Sequence, residues 1–463
     1  MNSFGSPLYI INKSEFDPMN FYMSANSKNK WFINFSLFVL LLSVTRGLVP
    51  IITKNGSLAE PTYSFSYFLG LLLASYGFYK AFFSKMKIIR KEIRYLLILN
   101  FILTIYWLLP LLIFIPSFNL LVDLAYKCWF PFAVYAFLTV PEKKLIPIFQ
   151  IITLVVAGFV LYDFISLNTN LIPNGYDLTV ARYELLRPEI FRGISKNTLS
   201  SGIVLRPNGI LGSGKLPHDS GNVLALFSVY WLAMSFRKDV YNYTVPLLAV
   251  FSLITVLLSQ STSNIVACIF GLLIVLFFYK RNIFSFKNIL KILFFLFPLC
   301  IWIYNKIENV IGLLWVWTNR LSLATGDWEG MTYLGDSSFG SNLFSFLFGY
   351  GHSLGISEVG YFSEQGFIKI IFEYGIFNAI VFFLLLLMPL IFFLFNKNHL
   401  KKFEVFPYVI AIFVGFLSLW HYGSVLRTTN IFIFFAFYGQ FMRKYTFSNI
   451  EKNTNKKPLF SVQ

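Results

Sequence analysis

Long apolar segments recur along the whole chain, and they constrain its fold more than any other feature. Most are about 20 residues long, the length that an α-helix needs to cross a bilayer, and each is bounded by charge, proline or glycine. Their continuous character favours helices over the alternating strands of a membrane barrel. They predict about twelve transmembrane helices (roughly 10–14), near residues 31–51, 63–83, 94–115, 120–140, 145–167, 219–236, 242–260, 262–279, 286–304, 366–395, 405–421 and 424–442.

The composition agrees with this interpretation. Hydrophobic residues make up 57% of the 463 positions and charged residues only 13%, whereas a soluble domain carries about 25% charged residues. This excludes a cytosolic globular enzyme, a disordered protein and a conventional nucleic-acid binder, despite the net charge of +17. We therefore predict an all-α, polytopic integral membrane protein.

The distribution of lysine and arginine predicts the orientation. Cytoplasmic connections of membrane proteins are enriched in these residues, and placing the amino terminus inside assigns most of the 38 basic residues to that side. Both termini are then cytoplasmic, and much of the net charge reflects topology. No cleavable signal peptide is expected, because the first 30 residues are polar.

Two long polar, Gly-rich connections interrupt the pattern of short loops, and both are assigned to the outside. Loops of this length are usually functional or disordered. The tail after Lys444 is polar and predicted to be disordered. The predicted units are a cytoplasmic tail (1–30), helices (31–167), a first periplasmic loop (168–218), helices (219–304), a second periplasmic loop (305–365), helices (366–442) and a cytoplasmic tail (443–463).

The two external loops differ in charge. The first is rich in arginine and the second is mostly acidic. The planar guanidinium group of arginine binds phosphate oxygens in pairs. An arginine-rich loop beside an acidic loop therefore suits an anionic lipid substrate with an acid or base nearby. Alternatively, the two loops neutralise each other as a salt-bridged lid.

Several short motifs lie in, between and just after these loops. They are Arg-Pro-Asn-Gly-Ile-Leu-Gly at 206–212, Pro-His-Asp at 217–219, Leu-Ser-Gln-Ser-Thr-Ser-Asn at 258–264, Asn-Arg-Leu at 319–321, Phe-Gly-Tyr-Gly-His at 348–352, Glu-Gln-Gly-Phe at 364–367 and Phe-Glu-Tyr-Gly-Ile-Phe at 372–377. In this order and spacing they resemble the O-antigen ligase and polymerase superfamily of bacterial envelope glycan assembly. The resemblance covers roughly residues 145–395 and is greatest to the Wzy-type polymerases.

Two differences between this chain and the ligases of that superfamily help to distinguish a ligase from a polymerase. Its ligases usually carry a histidine where this chain has Glu364, and a Ser-Arg pair where it has Thr262, Ser263 and Asn264. Both differences favour a polymerase. The alternatives are an O-antigen ligase that transfers glycan to the lipid A core, and a polyprenyl-linked oligosaccharide flippase or other transporter.

The resemblance implies a glycosyltransferase of GT-C-like architecture at the periplasmic face of the bacterial inner membrane. It would act without a metal ion or cofactor on polyprenyl-diphosphate-linked oligosaccharides as donor and acceptor. Its surroundings would be membrane lipid, with a chain-length regulator protein and a flippase as possible partners, and no nucleic acid. The scattered cysteines and histidines likewise predict no metal site.

The leaving diphosphate requires fixed cations. We expect Arg206 and Arg320 to be the main clamps. Auxiliary substrate-binding residues are predicted at Arg182, Arg187, Arg192 and Lys215. The alternatives are an anchor to lipid phosphates for Arg206 and an ion pair with an acidic neighbour for Arg320.

The attacking hydroxyl requires a base or an orienting acceptor. Glu364 is the first candidate for this role, followed by His352 and His218. The alternatives are a helix N-terminal charge for Glu364, a solvent-exposed loop histidine for His352 and a helix cap for His218. Asp163, near the outer end of its span, is expected to reach the interface.

Overall fold

A computed structural model describes residues 27–83, 91–114, 125–169, 171–186, 207, 209–210, 218–237, 243–259, 261–279, 347, 366–395, 399–420 and 428–454. About 92% of the structure is helical, and no strand occurs within these ranges. The all-α prediction is therefore confirmed for the described residues.

Most of the helices overlap the predicted apolar segments, although their bounds differ, and the segment at 286–304 lies outside the described residues. They are α1 (Ser27–Thr45), α2 (Leu48–Thr53), α3 (Ala59–Phe83), α4 (Lys91–Phe114), α5 (Ala133–Thr139), α6 (Glu142–Asn168), α7 (Gly175–Leu186), α8 (His218–Ser235), α9 (Thr244–Leu258), α10 (Thr262–Tyr279), α11 (Gly366–Phe395), α12 (His399–Leu417) and α13 (Thr428–Thr454). The prediction of a disordered tail after Lys444 is wrong as far as Thr454, because α13 continues to that residue.

Two helices in the described ranges are long and apolar enough to cross a membrane by length and composition. They are Glu142–Asn168, which is α6, and Gly375–Phe395, which is most of α11. Shorter apolar helices occur at Lys30–Thr45, Thr244–Leu258 and Ser263–Tyr279.

Helix α8 lies at the centre of the bundle. It packs against α6, α9, α10, α12 and α13, and every residue from 219 to 231 is buried. Midway along it, the rings of Phe149, Phe227, Tyr230 and Phe437 form a cluster, with centroid separations from 4.7 Å (Phe149 to Phe437) to 5.6 Å (Phe227 to Phe437). Aromatic pairs at such distances add to the stabilisation from burial.

Two segments are irregular. The predicted fourth span contains a π-helical turn (Ala125–Trp129) and a 3-10 turn (Phe130–Phe132) before α5 begins. Helix α11 is broken at Gly375, whose φ of 75° and ψ of 165° lie in a region that essentially only glycine occupies. The break divides α11 into two helical segments of different direction.

Helix α7 belongs to the first predicted external loop, and it packs back against α6, α2 and the 3-10 turn Gly56–Leu58. This part of the loop is therefore built onto the bundle. Of the second predicted loop, only Leu347 is described.

Candidate functional site

Buried polar side chains gather at the two opposite ends of the central helices. The end of α6 near Asp163, the start of α8, the α9–α10 turn and the start of α13 form one end. The start of α6, the end of α8 and the middle of α13 meet at the other. Asp163 and Glu142 lie 21 residues apart on α6, so the ends are separated by about 30 Å.

The first group, which we call the Asp163 cluster, comprises Asp163, Arg182, Tyr183 and the backbone N–H of Gly209. The Asp163 carboxylate is fully buried and forms an ion pair with Arg182. Its other oxygen accepts hydrogen bonds from the Tyr183 hydroxyl at 2.6 Å and from the Gly209 N–H at 2.8 Å. One carboxylate thus joins α6, α7 and the segment before α8.

Aromatic rings surround the guanidinium group of Arg182. Its central carbon lies 5.2 Å from the centroids of the Phe159 and Tyr183 rings and 5.6 Å from that of Tyr162. Cation–π attraction of this kind is strongest where water is excluded. The arginine is therefore held by both charge and rings, and it anchors α7 to α6.

The second group, the amide cluster, comprises Asn222, Ser259, Ser261, Asn264 and Asn430. The Asn430 side-chain N–H donates to the Asn222 amide oxygen at 3.1 Å, and the Asn222 N–H donates to the Asn264 oxygen at 3.4 Å. The Asn264 N–H in turn donates to the Ser261 hydroxyl at 2.8 Å. All five residues are buried.

Two glycines bring these groups close together. Gly209 has a φ of 69°, and a Cβ added to it would lie 2.6 Å from the Ser220 hydroxyl oxygen. A Cβ on Gly221 would lie 2.9 Å from the Ser259 hydroxyl oxygen. Because both contacts require the absence of a side chain, the Asp163 cluster and the amide cluster form one continuous polar region.

The third group, the Glu142 cluster, lies at the opposite end and comprises Glu142, Arg237, Tyr408 and Lys444. Arg237 approaches one oxygen of Glu142 to 2.7 Å, and the Lys444 ammonium approaches the other to 2.6 Å. The Tyr408 hydroxyl donates to the carboxylate as well. This cluster ties together the start of α6, the end of α8 and the middles of α12 and α13.

The predicted site residues fall mostly outside the described ranges. This applies to Glu364, His352, Arg206, Arg320, Arg187, Arg192 and Lys215. His218 is the first residue of α8. Arg182 lies in the Asp163 cluster, where its charge is balanced by Asp163.

Three buried polar residues were not recognised from the sequence. Asp163 was expected to reach the interface, but it is buried and paired with a residue of the first loop. Asn430 and Asn378 lie in apolar runs without a surrounding motif. Their only signal was a polar side chain within a predicted span, which marks a functional position by default.

The amide cluster consists of neutral hydrogen-bonding groups. Amide and hydroxyl side chains supply both donors and acceptors, which is what a ligand rich in hydroxyl groups requires. Within the described ranges, no three His, Cys, Asp or Glu side chains are grouped as a metal site would need.

Comparison with known proteins gave no relatives. No protein-family model matches the chain, and no match was found among curated proteins or among solved structures.

Proposed function

We propose that this chain is a polytopic membrane glycosyltransferase that polymerises lipid-linked oligosaccharide repeat units. In the proposal it acts at the periplasmic face of the bacterial inner membrane. It transfers glycan from polyprenyl diphosphate to a sugar hydroxyl of a second lipid-linked unit. The resulting polymer would be an O-antigen or a related surface polysaccharide.

Apolar outward faces of the helices support the membrane location. On α10, large apolar side chains are exposed in a stripe with helical spacing: Val266, Ile269, Phe270, Leu273 and Phe277. Soluble monomers rarely expose such a continuous apolar surface, whereas a bilayer covers it. Together with the two candidate spans, this surface favours an integral membrane protein.

The distribution of clusters between the two ends supports the proposed orientation. The Glu142 cluster contains Arg237 and Lys444, both assigned to the cytoplasm from lysine and arginine content. The Asp163 and amide clusters contain residues assigned to the outer side. Each end therefore holds residues that the charge pattern places on one side of the membrane.

The observation that carries the proposal is the convergence of resemblance motifs at the outer end. The polar turn 258–264 and the start of α8 are far apart in sequence, yet their side chains belong to one buried hydrogen-bonded cluster. The Asp163 cluster holds the first-loop helix α7 directly beside them. A lipid-linked sugar at this face would meet neutral amides next to an arginine-rich loop.

The proposed reaction is a displacement at the anomeric carbon. The acceptor hydroxyl oxygen attacks that carbon, the bond to the diphosphate oxygen breaks, and polyprenyl diphosphate leaves with the electron pair. The hydroxyl proton passes to a base, for which Glu364 is the first candidate and His352 and His218 are the next. Arg206 and Arg320 would stabilise the charge that develops on the diphosphate.

Deletion of the chain followed by gel analysis of surface glycan tests this function. A polymerase predicts a single repeat unit on the lipid A core in the deletion strain. An O-antigen ligase instead predicts lipid-linked polymer without glycan on the core, and a flippase predicts single units trapped on the cytoplasmic side. Unchanged long-chain glycan would contradict all three.

Substitution of the proposed clamps tests their role within that function. We expect Arg206→Ala and Arg320→Ala each to slow chain growth by about 10²–10³-fold at normal membrane abundance, because fixed charges stabilise the leaving diphosphate. Lys54→Ala, at an exposed external lysine, is the matched control and should retain normal ladders. Glu364→Gln should reduce the rate by about 10²–10⁴-fold if this carboxylate is the base. Normal ladders in either arginine variant would contradict the clamp.

A flippase or other transporter is the second candidate, and the break in α11 favours it. Secondary transporters commonly bind substrate at interrupted helices, and Gly375 interrupts α11. The flippase outcome of the deletion experiment would select this alternative.

A further inference from the structure

The side-chain amide of Asn378 is buried in the bundle without a hydrogen-bond partner. Only 4% of the residue is exposed, and neither the amide nitrogen nor the amide oxygen is hydrogen-bonded within the described structure. Burial of an amide without partners is costly, and in a bilayer no bulk water compensates for it. An unsatisfied buried amide of this kind requires an explanation.

Asn378 lies just after the break in α11. Gly375 interrupts the helical path, so the residues after it start a second helical segment. Side chains in the first turn of a helix lean towards its N-terminal end. The amide of Asn378 therefore lies beside the break.

The side chain also belongs to the inward face of α11. Phe382, Leu385 and Leu386 follow it at helical spacing and are all buried, whereas Phe377 and Ile380 are exposed on the other face. Asn378 is thus directed into the bundle.

Two contacts between α11 and α13 show which residue of α13 lies at the same height in the bundle as Asn378. The Tyr438 hydroxyl donates to the Leu385 carbonyl at 2.9 Å, and the rings of Phe392 and Tyr445 stack at 5.5 Å. Both pairs are 53 positions apart in the sequence. The same offset places Asn378 level with residue 431, next to Asn430 of the amide cluster.

The chemistry of the free amide limits the ligand. A cation would satisfy only its oxygen, and an anion would satisfy only its N–H groups. A hydroxyl group both donates and accepts, so it can satisfy both. We propose that Asn378 and the break at Gly375 form a subsite for a sugar hydroxyl of the lipid-linked glycan, at the level of the amide cluster. This inference rests on the proposed function and adds to it a contact for the sugar itself.

Lipid binding by the full-length chain in phosphatidylethanolamine–phosphatidylglycerol nanodiscs tests the subsite. The probes are the lipid-linked oligosaccharide extracted from deletion cells and polyprenyl diphosphate without glycan. We expect wild type to prefer the glycan-bearing lipid. Asn378→Leu, or Asn378→Ala as a second variant, should weaken glycan-lipid binding by about tenfold and leave binding of the glycan-free lipid unchanged.

Thermal unfolding of the same samples separates a ligand site from a structural role. Asn378→Leu removes an unsatisfied polar group, so we expect its melting temperature to equal or exceed that of wild type. The matched control is Asn100→Leu, because the Asn100 amide is also buried but donates to the Lys127 carbonyl at 2.7 Å. That variant should melt at a lower temperature and keep the wild-type preference between the two lipids.

The outcomes distinguish the subsite from the function on which it rests. If both Asn378 variants keep the wild-type preference, or if wild type shows none, the amide binds only water and the subsite is wrong. Either result is compatible with a polymerase whose deletion leaves single repeat units. Unchanged long-chain glycan after deletion would instead overturn the proposed function.

Discussion

Each of the two ends of the bundle holds a carboxylate paired with a cation, but in a different environment. Glu142 faces two cations, and the side chains of Glu142 and Lys444 remain 19% and 17% exposed. Asp163 has a single cation and no exposure, and its remaining partners are a hydroxyl and a backbone N–H. Water can reach the partly exposed Glu142 and Lys444 side chains when one of them loses its partner, whereas it cannot reach the fully buried Asp163 carboxylate. Fixed, dry polar groups suit ligand binding, whereas partly hydrated charges suit the anchoring of helix ends.

The largest loss of stability and of chain growth is expected when Asp163 is neutralised. Asp163→Asn leaves the buried Arg182 charge without its counterion, which costs about 3–5 kcal/mol in the free energy of unfolding. Chain growth should also be lost, because α7 is no longer held beside the amide cluster. Denaturant unfolding in mixed micelles and glycan ladders measure the two effects.

Asp177→Asn is the matched control for this variant, because Asp177 is an exposed carboxylate on the same helix, α7. It should change the free energy of unfolding by less than about 0.5 kcal/mol. A loss of similar size in both variants would remove the distinction between a buried and a hydrated carboxylate.

A smaller effect is expected at the opposite end. Glu142→Gln should lower the free energy of unfolding by about 1–3 kcal/mol, because Lys444 can turn towards water and the amide can still accept from Tyr408. Chain growth should persist in cells. Glu404→Gln, at an exposed carboxylate of α12, provides the control. A greater loss of stability than in Asp163→Asn would reverse the comparison.

The smallest effect tests the packing of the amide cluster. Gly221→Ala places a methyl group 2.9 Å from the Ser259 hydroxyl oxygen and from the Ser261 Cβ, so we expect a loss of about 1 kcal/mol together with slower chain growth. Gly158→Ala is the control, because no atom lies within 4 Å of its added Cβ. It should raise stability by about 0.5–1 kcal/mol. If Gly221→Ala and Gly158→Ala change the free energy of unfolding equally, the amide cluster tolerates a methyl group and the prediction is wrong.

The helix positions were predictable from the sequence because each depends on a local property, a continuous apolar run. The irregular turns at 125–132 were not, since the same apolar run also fits a regular helix. The helical end of α13 was missed for a related reason. Its residues after Lys444 are polar, and they extend a helix whose stability comes from its buried first half.

The site was only partly predictable because its contacts join distant segments. The polar turn 258–264 was recognised as a motif and lies in the amide cluster, whereas Asn222 lies just beyond the recognised motif at 217–219. Asn430 lies 208 positions from its partner Asn222, and no local pattern indicates such a partner. The Asp163–Arg182 pair was missed because hydropathy locates spans but not the loop residue that folds back onto them.

The ring cluster at the middle of α8 has a consequence for how variants combine. Phe149, Phe227, Tyr230 and Phe437 separate the two polar ends, which share no side-chain contact in the described residues. Energetic effects at sites this far apart usually add to within about 0.5 kcal/mol. Substitutions at the Glu142 cluster and at the Asp163 cluster should therefore combine almost additively in the free energy of unfolding, so a loss at one end can be offset by a stabilising change at the other.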